Sequence, residues 1–147
     1  MIETIGSILR TKGPAIWSIE PETTVYDAIA LMAEKGIGAV LVISEDRLHG
    51  IVSERDYARK VILQRRSSKE TRVEEIMTRD LVTVSHEDTV DECMRIMTHH
   101  RIRHLPVLSR GKLLGIVSIV DLVSAVIADQ AHTIDQLHTY IGCKYPA

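Results

Sequence analysis

Two serine–aspartate pairs are the residues of this sequence best suited to chemistry. Ser53 and Asp56 are separated by two residues, and Ser118 and Asp121 have the same spacing. Each pair follows a short β-rich apolar run and opens a helical pattern. The spacing is that of a capping box, with serine at the N-cap and aspartate at the third helical position. A carboxylate at such a helix start can also accept hydrogen bonds from a bound molecule, and the sequence leaves both interpretations open.

Basic residues form the second candidate group. Between residues 55 and 72 the chain has seven basic residues and two acids, a local excess of positive charge in a chain of net charge −2. Such an excess favours a compact anion or a partner surface, and a solvated helix end is the alternative. The basic residues are Arg55, Arg59, Lys60, Arg65, Arg66, Lys69 and Arg72.

An internal duplication organises the elements that position these groups. When the sequence is shifted by 65 residues, 15 of the 46 positions from Trp17 to Ile62 are identical to their partners, without a gap. The longest identical block is Gly-Ile-Val-Ser, which ends at Ser53 in the first copy and at Ser118 in the second. A repeat of this length indicates two copies of one structural unit.

Each copy predicts a short strand, a helix, two strands and a second helix. Thr24 and Thr89 are predicted N-caps, and Gly36 is a predicted helix C-terminus. The strands are predicted at residues 39–43 and 48–52, and at 105–108 and 113–117. The fold class is α/β (α+β), with two β-α-β-β-α repeats. The second helices are predicted to bury Ala58, Val61 and Ile62, and Leu122, Val123, Val126 and Ile127.

The predicted domains cover residues 10–64 and 76–130, with residues 64–71 as a polar linker. Residues 1–9 and 131–147 are terminal segments with apolar stripes, which we expect to pack on the repeats or on a second subunit. The stripes are Ile2, Ile5 and Leu9, and Ile134, Leu137 and Ile141.

Composition narrows the class of protein. The chain has 147 residues, of which 45% are hydrophobic and 26% charged, as in soluble globular proteins. No apolar run reaches 18 residues, and the N-terminus is too short and too polar for a signal peptide, so we expect no membrane association and a cytoplasmic location. Two cysteines, Cys93 and Cys143, do not indicate an oxidising compartment. The negative net charge and scarce aromatic residues argue against nucleic-acid binding.

Neither catalysis nor metal binding is predicted. The sequence lacks Gly-x-Ser-x-Gly, Walker and Gly-x-Gly-x-x-Gly motifs, so we expect no enzyme activity and no catalytic cofactor. His99, His100 and His104 cluster in sequence, but a predicted strand starts between them and no zinc-type spacing is present.

The duplicated pattern resembles a tandem pair of CBS (cystathionine β-synthase) domains, known as a Bateman module. The resemblance covers about residues 1–130, and its carriers are Gly50-Ile51-Val52-Ser53-x-x-Asp56 and Gly115-Ile116-Val117-Ser118-x-x-Asp121. It implies two repeats about a pseudo-two-fold axis that bind adenosyl compounds in clefts between them. A module of this family senses cellular energy or redox state.

The resemblance also implies roles for individual residues. Asp56 and Asp121 would bind the ribose hydroxyls, assisted by Ser53 and Ser118, and backbone groups near the first strand and after the first helix would contact the base. Those backbone positions are Ile16, Trp17, Ser18, Ile37, Gly38 and Ala39 in the first copy, and Leu81, Val82, Thr83, Ile102, Arg103 and His104 in the second. The predicted binding set also includes Ile51, Ile116, Pro106 and Val120.

Phosphate would be held by basic residues that differ between the copies. The first copy offers Arg55, Lys60 and Arg66, and the second offers Arg101, Arg103 and His104. The expected ligand is therefore an adenosine nucleotide, AMP first, with ADP, ATP or NAD as alternatives. We also expect a homodimer and an unidentified regulated enzyme or transporter. The alternative function is a structural dimerisation module without a ligand.

Overall fold

The computed structural model describes the backbone of residues 3–144 and the side chains of residues 3–138. The chain forms two compact units. One consists of residues 15–82, and the other joins the N-terminal residues up to Pro14 to the residues from Thr83 onward. The first unit thus contains the first repeat. The second contains the second repeat together with the N-terminal helix.

The elements follow the predicted order in each repeat. In chain order they are α1 (Ile5–Lys12), β1 (Ser18–Ile19), α2 (Val25–Lys35), β2 (Ala39–Ser44), β3 (Arg47–Ser53), α3 (Glu54–Tyr57), a π-helical segment (Ala58–Ile62), a 3-10 turn (Val73–Glu75), β4 (Val84–Ser85), α4 (Val90–His100), β5 (His104–Ser109), β6 (Lys112–Ser118) and α5 (Ile119–Lys144). The predicted α/β class and the repeated strand–helix–strand–strand–helix order are confirmed.

Each unit contains one three-stranded sheet. β1 pairs in parallel with β2, which pairs antiparallel with β3, and β4, β5 and β6 repeat this topology. The hairpin turns need positive φ at two consecutive residues, as type I′ turns do. Glu45 and Asp46 adopt φ values of 52° and 59°, and Arg110 and Gly111 adopt 51° and 78°. The turns therefore fix the same register in both sheets.

The core of the first unit lies between α2 and its sheet. Val25, Ala28 and Met32 recur at helical spacing and are buried on one face of α2. Four consecutive residues of β2, from Ala39 to Val42, are also buried, so this strand is covered on both faces. Full burial of such side chains contributes about 1.5–3 kcal/mol each, which makes this strand a rigid support for the residues at its ends.

Residues 64–71 do not form the independent linker predicted from their polarity. The carbonyl oxygen of Thr71 accepts from the amide of Val25 at 2.8 Å, and that of Ser68 accepts from the amide of Tyr26 at 3.0 Å. Thr71 itself is buried. The segment therefore caps the N-terminus of α2, where the first amides of a helix need acceptors from outside the helix.

The second helix of the first repeat is shorter than its amphipathic pattern predicts. α3 has four residues and continues as the π-helical segment, whereas α5 in the second repeat has 26 residues. Burial on these helices is also narrower than predicted. Val61 and Leu122 are buried, but Ile62 and Ile127 are 55% and 60% exposed. Ala58 and Val123 are exposed as well.

The N-terminal helix α1 packs on the second repeat. Thr4 is its N-cap, and Ile5 and Ile8 are buried. The amide of Ile5 donates to the carbonyl of Asp88 at 2.9 Å, and the amide of Gly6 donates to that of His86 at 2.9 Å. Ile2, the third residue that we expected on this stripe besides Ile5 and Leu9, lies outside the described residues.

The C-terminal stripe lies on α5, where Ile134 and Leu137 are more than half exposed. The side chain of Ile141 lies outside the described part of the chain. Among the described residues no helix is both long and apolar enough to cross a bilayer.

Candidate functional site

Both serine–aspartate pairs form capping boxes. The Ser53 amide donates to Asp56 Oδ2 at 2.9 Å, and the Asp56 amide donates to Ser53 Oγ at 3.2 Å. Ser118 and Asp121 repeat the two bonds at 2.8 Å and 3.2 Å. The capping interpretation is therefore confirmed in both repeats. It does not use the full acceptor capacity of the carboxylates, since an ionised carboxylate has about four lone-pair sites.

The strands bring each capping box beside the loop that follows the first helix of its repeat. Ala39 pairs with Ser53, and the Glu54 amide donates to the Gly38 carbonyl at 3.0 Å. In the second repeat His104 pairs with Ser118. There the Ile119 amide donates to the Arg103 carbonyl at 2.8 Å. The predicted residues after the first helix thus lie next to the aspartate within each repeat.

The first-strand residues of the first repeat lie on the other side of β2. Ser18 pairs with Leu41, and the Trp17 carbonyl accepts from the Leu41 amide at 3.3 Å. Trp17 is 39% exposed, with the ammonium of Lys35 at 4.3 Å from the centroid of its ring. Ile16 precedes this contact and is half-buried. The Trp17 carbonyl thus already has a partner within the sheet.

The corresponding residues before β4 divide between the two units. Leu81 and Val82 belong to the first unit, and Thr83 belongs to the second. Leu81 and Val82 are half-buried, and Thr83 is exposed.

In the first repeat a lysine contacts the aspartate. Lys60 Nζ lies 3.0 Å from Asp56 Oδ1 and donates to the Ile76 carbonyl at 2.8 Å. The Asp56 side chain is 14% exposed, so the ion pair lies at a partly open edge of the unit. This edge contains a carboxylate, an ammonium group and the start of α3.

Two further predicted cations of the first repeat have different surroundings. Arg55 is half-buried in α3, next to Asp56. Arg66 pairs with Glu75 rather than extending toward Asp56. The bond from the Arg72 backbone and the Arg66 guanidinium hold the pKa of Glu75 below its ordinary value. Arg66 thus stabilises the segment after the π-helical turn, which its sequence position did not reveal.

In the second repeat the lysine comes from α1, which sequence reasoning missed. Lys12 Nζ lies 2.8 Å from Asp121 Oδ2 and donates to the Ile116 carbonyl at 2.9 Å. Burial by itself would raise the pKa of Asp121, but the bonds from Lys12 and Ser118 hold it below its ordinary value. Asp121 is therefore a carboxylate at neutral pH.

His104 is not the cation that its basic neighbourhood suggested. Burial and the charge of Lys12 lower the pKa of His104 to about 4, against the opposing effect of Asp121. The imidazole is therefore neutral at pH 7. Positive charge in the stretch 101–104 belongs to Arg101 and Arg103, both exposed. Arg101 also ends α4 in the left-handed conformation, where Gly36 ends α2.

The remaining predicted residues line the same strands or point away from them. Ile51 and Ile116 occupy equivalent, half-buried positions in β3 and β6, and Pro106 is a buried partner of Ile116 in β5. Ile37 and Ile102 are half-buried at the ends of α2 and α4, where their amides bond Met32 and Met97. Val120 is 68% exposed on α5.

A separate cleft of about 460 Å³ lies at the far end of the second sheet. It is lined by Ser85, His86, Glu87, Ser109 and Arg110. Ser109 is five residues along β5 from His104, about 17 Å at the rise of a strand. The cleft therefore contains none of the predicted ligand residues. Among the described residues no cluster of three metal-ligating side chains occurs.

Two repeated α/β units, each with a carboxylate-capped helix beside a lysine, define a duplicated module of the regulatory type. The model of the CBS domain matches residues 5–63 and 73–128, so the chain belongs to the CBS-domain family. It contains a pair of these domains, and stand-alone proteins of this kind are generally regulatory.

Known relatives agree with this assignment. The chain is 40% identical, over 97% of its length and 73% of the relative, to the mitochondrial CBS domain-containing protein CBSX3 of Arabidopsis thaliana. A CBS-domain protein from Burkholderia ambifaria MC40-6, assigned to signal transduction, shares 58% identity with a TM-score of 0.84 over 87% of this chain and 96% of its own. A hexameric CBS-CP12 protein of bloom-forming cyanobacteria shares 29% identity with a TM-score of 0.75, over 98% and 84% of the two chains.

Proposed function

We propose that this CBS-domain pair is a cytoplasmic regulatory module that senses energy or redox state by binding adenosine nucleotides. AMP is the first candidate, followed by ADP, ATP and NAD. The observation that supports the proposal most is the carboxylate at the start of α3 and α5. Asp56 and Asp121 have the same capping geometry in both repeats and remain 14% and 22% exposed.

The arrangement suits a ribose. A partly exposed carboxylate can accept hydrogen bonds from two vicinal hydroxyls, and bonds to a charged acceptor are stronger than neutral ones. In each repeat the capping box fixes the carboxylate before any ligand arrives. A preorganised acceptor of this kind loses little conformational entropy on binding.

Nearby cations suit a phosphate. The first repeat has Lys60 at its carboxylate, and the second has Arg101 and Arg103 in the loop that packs on α5. Arginine is well suited to phosphate because its guanidinium can bind two oxygens at once. The neutral His104 adds a hydrogen-bonding ring rather than a charge, so we expect the two sites to differ in their preference for phosphate number.

A thermal-shift series tests the proposal. Adenosine, AMP, ADP, ATP, NAD, GMP and S-adenosylmethionine are each added at about 100 times the expected micromolar dissociation constant. Binding at that ratio adds about 2.7 kcal/mol to the free energy of unfolding, which raises Tm by about 5–10 °C in a chain of this size. We expect the largest shifts with AMP-type nucleotides. Equal shifts with GMP, or the largest with S-adenosylmethionine, contradict the proposed ligand class.

The alternative is a structural module without a ligand that binds a partner enzyme or transporter. It is favoured by one observation, since both aspartates already have partners within the protein. In that case no nucleotide of the series shifts Tm.

We also infer that the chain forms a homodimer through α5. Val120, Ile127 and Ile134 recur every seven residues and are all more than half exposed, as is Leu137. Apolar residues at this spacing form a seam for another helix. Light scattering at micromolar concentration should give twice the chain mass, and Ile127→Asp should reduce it to the monomer. A monomeric wild-type protein would contradict the inference.

A further inference from the structure

The end of the N-terminal helix α1 covers the carboxylate of the second repeat. Lys12, its last residue, contacts Asp121 Oδ2 at 2.8 Å and the carbonyl oxygen of Ile116 at 2.9 Å. The two ionic partners are 109 positions apart in sequence. Their contact therefore depends on the docking of α1 through the buried Ile5 and Ile8.

The first repeat closes the equivalent strand edge in a different way. There the Ile51 amide donates to the Thr78 carbonyl at 3.1 Å, and the Thr78 amide donates to the Ile51 carbonyl at 2.9 Å. Ile116 is the counterpart of Ile51 in β6, and its carbonyl accepts from the Lys12 side chain instead. A side chain can leave such an acceptor by rotation, whereas a backbone bridge requires the chain to move.

The lysines of the two repeats also differ in origin. Lys60 lies four residues after Asp56, so its contact is local. Lys12 comes from an element whose Leu9 side chain lies 3.1 Å from the position of a Cβ atom on Gly115 in β6. The contact of Lys12 with Asp121 thus connects the occupancy of the second site to the position of α1.

We propose that Lys12 blocks the second site: its ammonium group occupies acceptor atoms that ribose hydroxyls need, so a nucleotide binds Asp121 only by displacing it. This inference rests on the proposed nucleotide-binding function. A conformation that must open before it binds lowers the apparent affinity by the fraction of molecules that are open. Nucleotide binding consequently releases Lys12 and loosens the end of α1.

The test compares the affinity of AMP for three charge variants of α1, by isothermal titration calorimetry. All are made in an Asp56→Asn background, so that the second site supplies the signal. Lys12→Met removes the blocking ammonium, and Lys12→Arg keeps a cation there. Arg10→Met is the matched control, since it removes the same charge from an exposed position of the same helix.

We expect Lys12→Met to tighten AMP binding about two- to fivefold, the range of a partly exposed ion pair. Arg10→Met should leave the affinity unchanged. A weaker affinity in Lys12→Met would identify Lys12 as a phosphate contact and overturn the proposal, as would equal affinities in the two methionine variants. Circular dichroism melts establish that each variant is folded.

A second measurement uses the unmodified chain. Trace acetylation with quantitative mass spectrometry reports the reactivity of the Lys12 amine, with the exposed Lys112 as internal reference. We expect AMP at saturation to raise Lys12 reactivity severalfold, and an unchanged or lower reactivity overturns the proposal. If AMP binds but neither result is obtained, this inference alone fails. If AMP binds no variant, the proposed function fails with it.

Discussion

Replacing Asp121 by asparagine separates the two roles of this carboxylate. Asparagine has nearly the same shape, and its side-chain oxygen can still accept from the Ser118 amide. The negative charge that binds Lys12 is lost. The helix start therefore stays capped while the charged acceptor for a ligand disappears.

The expected loss of stability is small. The Lys12–Asp121 pair is 36% and 22% exposed, so solvent screening limits its contribution to about 0–1 kcal/mol. Asparagine is as good a capping residue as aspartate, which adds little further cost. A loss of about 1 kcal/mol lowers Tm by about 2–4 °C in a chain of this length.

The expected loss of affinity is larger. A hydrogen bond to a charged group is about 1 kcal/mol stronger than a neutral one, so two ribose bonds lose about 2 kcal/mol, or about 30-fold. Release of the Lys12 contact offsets this by at most about fivefold, which leaves a net loss of at least about sixfold. Calorimetry with AMP in an Asp56→Asn background measures it. Unchanged affinity with a lowered Tm would show that Asp121 only caps its helix.

Three further predictions follow from the described contacts. Because the pKa of His104 is about 4 when folded and about 6.5 when unfolded, stability should fall as the pH drops from about 6.5 to 4, and His104→Gln should flatten this decline in urea titrations. Gly50→Ala places a Cβ 2.7 Å from the Thr78 carbonyl, whereas Gly115→Ala meets a flexible leucine at 3.1 Å, so the first should lower Tm more; equal losses would contradict this. Arg101→Gly relieves a left-handed backbone and should stabilise the protein by about 1 kcal/mol, and a lowered midpoint of chemical denaturation would refute it.

The repeat made much of the fold predictable. The Thr24 and Thr89 caps, the Gly36 terminus and the two hairpins follow from local rules, and each rule is supported twice because the pattern recurs 65 residues later. Local signals of this kind depend on neighbours within four residues, so they survive without knowledge of the tertiary structure.

Long-range contacts were not predictable in the same way. The segment that packs on each repeat does not follow the 65-residue period: Thr71 caps α2, but Glu3 bonds the first amide of α4. This offset of 68 residues is invisible to an ungapped comparison. The contact between Lys12 and Asp121 results from it, because it requires α1 to dock on a repeat that begins some 70 residues later.

His104 illustrates a second limit. Its sequence neighbours are basic, which suggested a phosphate-binding cation. Burial and the ammonium of Lys12 determine its charge instead, and both depend on tertiary packing. The charge of a histidine changes with small differences in surroundings near neutral pH.

The most direct test of the central claim is calorimetric titration of AMP into the wild-type protein and into the Asp56→Asn/Asp121→Asn double variant. Both aspartates combine a capping contact with a partly exposed carboxylate. The account predicts micromolar binding, about −8 kcal/mol, to the wild type and a large loss of affinity in a double variant that still melts cooperatively. Absence of binding to the wild type, or equal affinity in the folded double variant, would contradict it.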